Sequence, residues 1–254
     1  MKKYIYLIFG TLFLFSFQNN KQVKGIFEYE QIQTKDKEFK SYVTFYNLYL
    51  NSNFSIYTQI FTEELDEKYT EFSEEGVSDV IVIKPKKKEM KIVYNNHTKD
   101  EMYFKDLVAF DVKFVKEEDF KMDWKLYDET RKYGNRICKK ATTNFRGRIY
   151  TAWYSSELNS NIGPWKFKNT PGLIFEIYDN DKILHIKLKK LNTKKISNVN
   201  FWENENNNKI ISLESYKKLK ENEEEALLER LNSKLPKGSK PFIKNKNIRE
   251  FEIF

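Results

Sequence analysis

Apolar and polar residues alternate with a period of two along most of this chain, in short runs bounded by turn residues. Successive side chains of a strand point to opposite faces, so runs of this kind form antiparallel strands with one face buried. Ile26 to Ile32, Tyr42 to Leu50 and Phe54 to Phe61 come first, the last two divided by the turn Asn51-Ser52-Asn53. Val80 to Ile83 leads through the basic turn Lys84 to Lys88 into Met90 to Tyr94. Tyr103 to Phe114 and Trp124 to Thr130 follow. Ile137 to Phe145 and Ile149 to Tyr154 flank Arg146-Gly147-Arg148, where the glycine supplies the permissive backbone of a tight hairpin turn. Leu173 to Tyr178 and Ile183 to Leu191 flank Asp179-Asn180-Asp181-Lys182. In the returning strand Leu184, Ile186 and Leu188 share one face, and Ile183, His185, Lys187 and Lys189 take the other.

The pattern changes after the polar, Asn-rich segment Asn192 to Asn208. Ser212 or Ser215 caps a helix running to about Lys234, with Leu213, Tyr216, Leu219, Leu227, Leu228 and Leu231 as its apolar stripe and Pro236-Lys237-Gly238 as its stop. A Lys-rich tail with Phe242, Ile243, Ile248 and Phe251 to Phe254 fits a last edge strand. Many antiparallel strands followed by one amphipathic helix predict a mainly β fold. The expected form is a strongly curved antiparallel sheet or partial barrel with the C-terminal helix packed on it; a two-sheet sandwich is the alternative. No repeat and no long low-complexity linker divides residues 21–254, so they are expected to form one domain, with ample chain for a buried core.

Residues 1–20 stand apart: two lysines, the apolar run Tyr4 to Phe17, then Gln18-Asn19-Asn20. This is the pattern of a signal peptide. A bilayer-spanning helix needs about 20 apolar residues, and this run is shorter. Export with cleavage between residues 16 and 22 is therefore expected, giving a soluble periplasmic or secreted protein. No cysteine follows the run, so a lipid-modified N-terminus is not expected. The formal net charge of +8 falls to +6 once Lys2 and Lys3 leave with the signal. Basic runs lie between Arg131 and Arg148, Lys187 and Lys195, and Lys234 and Lys246, but acidic residues interleave the chain and no nucleic-acid motif occurs. The lysines read as solvated strand faces; no nucleic-acid partner is expected, and peripheral contact with an anionic envelope surface is the lesser use. With one cysteine, Cys138, and two histidines, His97 and His185, neither a metal site nor a cofactor is expected.

The segment from Cys138 to Asp179 carries a specific pattern: Cys138, Ala141, Thr142, Phe145, Gly147, Arg148, Tyr150, Ala152, Trp153 and Tyr154, then Gly163-Pro164-Trp165-Lys166-Phe167, then Pro171, Gly172, Leu173, Ile174, Glu176, Tyr178 and Asp179. It resembles the hallmark segment of the GLPGLI family of Bacteroidetes proteins, a GPWKF turn followed by GGLPGLI and x-E-x-Y-D. Lys168, Asn169 and Thr170 stand where the family has glycine, glycine and leucine, which makes this copy stiffer and more polar. The resemblance implies an exported β-rich protein with a C-terminal helix, and it implies no established activity.

The residues of this segment suggest a local site. Gly163 to Phe167 forms a turn that brings two rings close in sequence, and Thr170-Pro171-Gly172 has the proline and glycine of a type II turn. Arg148, Trp153, Tyr154 and Trp165 are then expected to cluster near that loop. Phe167, Pro171, Gly172, Glu176 and Asp179 are further binding or loop candidates. Such a cluster caps a barrel by stacking arginine on indole, or floors a ligand pocket. For catalysis, Cys138 has His185 or His97 as a potential base, though a buried packing cysteine is the simpler reading. Glu176 with Asp179 or Asp181 has the composition of an acid–base pair, though Asp179-Asn180-Asp181 reads first as a turn. No GxSxG, HExxH or GxxxxGK[ST] pattern occurs. The function expected is therefore a non-enzymatic binding domain for an apolar or peptide ligand, held between curved sheet and helix. The alternatives are a hydrolase using Cys138 or Glu176 and Asp179, and an accessory scaffold beside outer-membrane machinery.

Overall fold

The computed structural model describes residues 23–34, 41–60, 69–73, 76–82, 91–108, 111–117, 121–193, 210–236 and 240–241. The expected signal peptide, the basic turn at 84–88 and the tail from Phe242 lie outside the described residues. The first strands are β1 (Gly25–Thr34), β2 (Ser41–Leu50), β3 (Phe54–Gln59), β4 (Tyr69–Ser73) and β5 (Gly76–Val82). Next come β6 (Ile92–Asn96), β7 (Glu101–Val108), β8 (Asp111–Glu117), β9 (Lys125–Tyr133), β10 (Arg136–Phe145) and β11 (Arg148–Ser155). The chain then forms β12 (Leu173–Asp179), β13 (Leu184–Asn192), β14 (Ile210–Ser212) and the helix α1 (Leu213–Asn232).

The strands form one sheet in the order β14-β8-β7-β6-β3-β2-β1-β13-β12-β11-β10-β9. The fold is thus mainly β and is not a two-sheet sandwich. β3 takes the Tyr46–Leu50 end of β2, while β5 runs parallel to its Ser41–Val43 end and carries β4. Apart from that pair and the parallel pair β14–β8, the ladder is antiparallel. Two expected neighbours are separated. β5 pairs with β2 and β4, whereas β6 pairs with β3 and β7, so no hairpin joins the basic turn's flanks. The run Tyr103 to Phe114 divides into two strands that pair with each other, β7 and β8.

The sheet curls but does not close. β8 and β11 stand eight positions apart in the strand order, which in a flat sheet is roughly 38 Å. Yet Lys166, in the connection after β11, donates to Glu117 at the end of β8 at 2.8 Å, and Arg146, in the β10–β11 turn, pairs with the same carboxylate. Register breaks at Glu28/Tyr29 on β1, Lys139/Ala141 on β10 and Trp153/Tyr154 on β11 help to bend the ladder, because bulges raise the local twist. The edge strands β9 and β14 remain unjoined to each other.

The apolar core lies on the concave side, where Phe27, Tyr29, Tyr46, Leu48, Tyr57 and Phe104 meet Tyr150, Ala152, Ile177 and Ile186 from the other half of the sheet. The alternation in β13 follows expectation, with Leu184 and Ile186 buried and His185 and Lys187 half-buried. Ile183 differs: it precedes the strand and is buried. At the C-terminal end, Ser212 caps α1, its hydroxyl accepting from the Ser215 amide at 3.2 Å. Among the described residues no helix is long and apolar enough to cross a membrane.

Candidate functional site

The connection from β11 to β12 is a small hairpin turned inward. Ile162 bridges Lys168, the Gly163 amide donates to the Phe167 carbonyl at 2.8 Å, and the Asn169 amide donates to the Asn161 carbonyl at 2.6 Å. Trp165 takes φ 52° and Asn169 φ 69°. Left-handed backbone suits glycine or asparagine, so Asn169 takes it readily, whereas a tryptophan there is strained by about 1–3 kcal/mol. The strain is offset by packing. The Trp165 ring lies 5.7 Å from Phe145 and 5.1 Å from Phe167, and Phe167 is edge-on to Tyr150 at 4.9 Å.

Between Trp165 and Phe167 the side chain of Lys166 runs into the core, only 1% exposed. Its ammonium sits 3.8 Å from the centre of the Phe104 ring and ion-pairs with Glu117, which is fully buried. A desolvated charge needs a partner of opposite sign, and the aromatic face adds to the attraction. This clasp is what fills the concave side with the chain's own loop.

A cavity of about 40 Å³ survives beside the clasp, walled by Tyr46, Tyr57, Phe104, Trp165, Lys166 and, from α1, Tyr216. Tyr46 and Tyr57 stack at 4.6 Å with an interplanar angle of 4°. The Tyr57 hydroxyl donates to Gln31 at 3.2 Å, the Tyr29 hydroxyl donates to the Ile174 carbonyl at 2.8 Å, and burial pushes all three phenols above their ordinary range. At the rim, the Tyr216 hydroxyl donates to Asp106 at 2.6 Å. Burial would raise the Asp106 carboxyl, but Lys91, Lys220 and that hydroxyl outweigh it and hold the group below the usual carboxylate range.

The expected cluster of Arg148, Trp153, Tyr154 and Trp165 does not assemble. Trp153 and Tyr154 are successive residues of one strand, so they face opposite ways, and Tyr154 joins the core with Trp165 while Trp153 does not. Arg148 turns to Asp179 at 3.4 Å and Asp181 at 3.3 Å. An arginine does lie on an indole elsewhere: Arg131 of β9 stands 4.2 Å from Trp153. It belongs to a second network on the convex face, centred on Glu176. Arg131 donates to one oxygen of that carboxylate at 3.0 Å, Tyr133 donates to the same oxygen, and His185 lies 2.7 Å from the other. Burial would raise the Glu176 carboxyl, but hydrogen bonds from His185 and Tyr133 and the charge of Arg131 bring it down to about 2.

Asp179 is not brought to Glu176. The two are three positions apart on β12, and Asp179 is buried at the turn, accepting from the Leu184 amide at 2.6 Å and the Asp181 amide at 3.2 Å. Cys138 is fully buried, and burial followed by the charge of Glu157 pushes its thiol up to about 12. Neither histidine ring has its recorded partner there: His185 bonds Glu176, and His97 lies 3.3 Å from the Ser55 hydroxyl. Gly172 is not the left-handed residue of a type II turn, since the φ values in that region belong elsewhere. It is required for another reason: a Cβ there would stand 2.2 Å from the Ser155 carbonyl oxygen. Among the described residues no group of three or more His, Cys, Asp or Glu is placed to hold a metal ion.

Lys166 is the residue the sequence reading passed over, although a lysine between two aromatic residues of a tight turn was a signal for a charge carried into the core. Glu117, Asp106 and Tyr216 had no such signal: Glu117 meets Arg146 and Lys166 from 29 and 49 residues away, and Tyr216 meets Asp106 across 110 residues.

These features define a class: an open, strongly curved β-sheet filled by its own loop and strapped by a terminal helix. No family model and no curated protein matches this sequence. Solved structures that it resembles include two of PNGF-II. In the P21 space group the TM-score is 0.49 at 15% identity, over 77% of this chain and 33% of that one. In the C2 space group the TM-score is 0.50 at 17% identity, over 77% and 32%. This chain spans about a third of the PNGF-II chain, and the likeness concerns the fold alone.

Proposed function

We propose that this chain is an exported, non-enzymatic binding domain of the GLPGLI type that takes part of an apolar or peptide ligand between the curved sheet and α1. The observation that carries the reading is the aromatic cavity between Tyr46, Tyr57, Phe104, Trp165 and Tyr216, placed where sheet, hallmark loop and helix meet. Pockets for small molecules usually have volumes of roughly 300–1,000 Å³, so a ligand enters this one by moving a wall. The helix is the movable wall, since among its described side chains Tyr216 alone is buried. The candidate catalytic groups support a non-enzymatic role. A thiol raised to about 12 and a carboxyl lowered to about 2 are both far from neutral pH, where general acid–base groups work best.

Native mass spectrometry of the protein purified from its own cell envelope tests this. The expected result is a bound species released on denaturation, on a chain whose N-terminus begins between residues 17 and 23. A bare chain in every preparation overturns the binding role, and a retained Met1 overturns export. The scaffold reading is favoured by one observation, the Lys166–Glu117 clasp that fills the interior. A partner captured by the native protein and lost with Trp165→Ala supports that reading instead.

A further inference from the structure

We propose that the cavity under α1 is a receptor for a phenolic group, a ring with a hydrogen-bond donor at its far end, and that Tyr216 is its intramolecular occupant. The inference rests on the reading of the chain as a binding domain and names the ligand chemistry of that site.

Tyr216 is the buried residue of a helix whose other described side chains are half-buried or exposed, Leu219 among them at 36%. Its ring stands edge-on to Phe104 at 5.1 Å and 88°, and its hydroxyl meets the carboxylate of Asp106. Ring and hydroxyl thus each meet a partner on β7, Phe104, which also faces the Lys166 ammonium, and Asp106, which also faces Lys91 and Lys220, as a bound phenol would. The aromatic lining does not stop at Tyr216: the remaining 40 Å³ continues past it to Tyr46, Tyr57 and Trp165, with Gln31 among the lining groups. A well-packed interior leaves few voids larger than a water, so residual space directly beyond a helix side chain marks a site that one ring does not fill. Among the described residues of the helix, Leu213 packs partly buried against the core, and beside Tyr216 the side chain of Lys220 reaches Asp106 at 3.6 Å and the Leu107 carbonyl at 3.4 Å near the surface. Undocking α1 therefore exposes a ring-shaped slot ending on an ionised acceptor. An incoming phenol restores the hydrogen bond that Tyr216 gives up, and an apolar ring does not.

The test is a titration of the full chain with p-cresol and with toluene, followed by NMR shifts of the Phe104 and Trp165 rings, on the native protein, Tyr216→Ala, Tyr216→Phe and Asp106→Asn. Tyr216→Ala is expected to bind p-cresol about tenfold or more tightly than the native chain does, because the competing occupant is gone. It is expected to prefer p-cresol to toluene by about tenfold or more, the effect of a hydrogen bond to a charged group, and Asp106→Asn should bring that preference towards one. N-acetyl-tyrosinamide binding as well as p-cresol assigns the group to a tyrosyl side chain of a partner; p-cresol binding alone assigns it to a free phenol. Equal binding of p-cresol and toluene by Tyr216→Ala overturns the proposal. Should that variant not fold, Tyr216→Phe keeps the ring and drops the hydroxyl, and an unchanged p-cresol affinity there overturns it equally. A ligand without a phenol found by native mass spectrometry sinks this inference and leaves the binding role standing.

Discussion

Glu117 and Glu176 each gather cations at the end of or within a strand, yet they stand on opposite sides of the same sheet. Glu117 lies in the concave core with no exposed side-chain surface, held by Lys166 and Arg146. Glu176 lies on the convex face at 10% side-chain exposure, held by Arg131, Tyr133 and His185. Inside, the charges have no water to fall back on, so losing one leaves the opposite charge buried; outside, solvent can replace a lost partner. The inner carboxylate therefore governs whether the sheet stays curled around its loop. The outer one pins the edge strand β9 over Trp153 and has a smaller share in stability.

The largest effect is expected from Glu117→Ala, which leaves the Lys166 ammonium buried without its carboxylate. Destabilisation of about 3–5 kcal/mol is expected in urea unfolding. The double change Glu117→Leu with Lys166→Met should recover most of it, because an apolar pair needs no desolvation. If Glu117→Ala and Glu176→Ala cost the same, the contrast between the two faces is broken. Next comes Gly172→Ala. Its new Cβ meets backbone rather than a side-chain end, so a loss near about 3 kcal/mol is expected in thermal unfolding. Gly134→Ala is its control: there is open space at that position, and only its φ of 58° opposes the change, for about 1–2 kcal/mol.

Smaller still is the outer network, and it is read best with acid. The Glu176 carboxyl, ordinarily near 4.5, is lowered to about 2 in the folded protein, so the folded state binds the proton more weakly than the unfolded chain. Its contribution is present in full above about pH 4.5 and is lost as the pH falls towards 2. Glu176→Gln should flatten the stability profile across that window; a profile identical to that of the native protein refutes the assignment. The smallest response is expected at Cys138. Iodoacetamide at neutral pH should leave the folded protein unmodified and label it only after denaturation, because the thiol is buried and protonated.

Much of the fold was legible locally. The hairpin at Arg146-Gly147 is formed as read, with φ values of 47° and 72° at its two central residues, and Asn51 organises the β2–β3 turn by accepting from the Asn53 and Phe54 amides. Both depend on residues within four positions of each other. The site was less legible for the converse reason. Trp153 and Tyr154 were placed together because they are adjacent, and the strand period sends them apart. The type II turn at Pro171-Gly172 was inferred from residue types, whereas the glycine answers to the Ser155 backbone across the fold.

What the sequence by itself determined is the mainly β character, the turns at Asn51–Asn53 and Arg146-Gly147, the capped helix and the resemblance of residues 138–179 to a known hallmark. These rest on side-chain alternation and backbone preference, which act over a few residues. Only the tertiary structure decided that the sheet curls until β8 meets the β10–β11 turn, that Lys166 is a core residue, and that Tyr216 closes the cavity on Asp106. Those outcomes follow from desolvation: a buried charge or phenol must find its partner wherever the curvature brings one, and no short-range pattern specifies which strand that is.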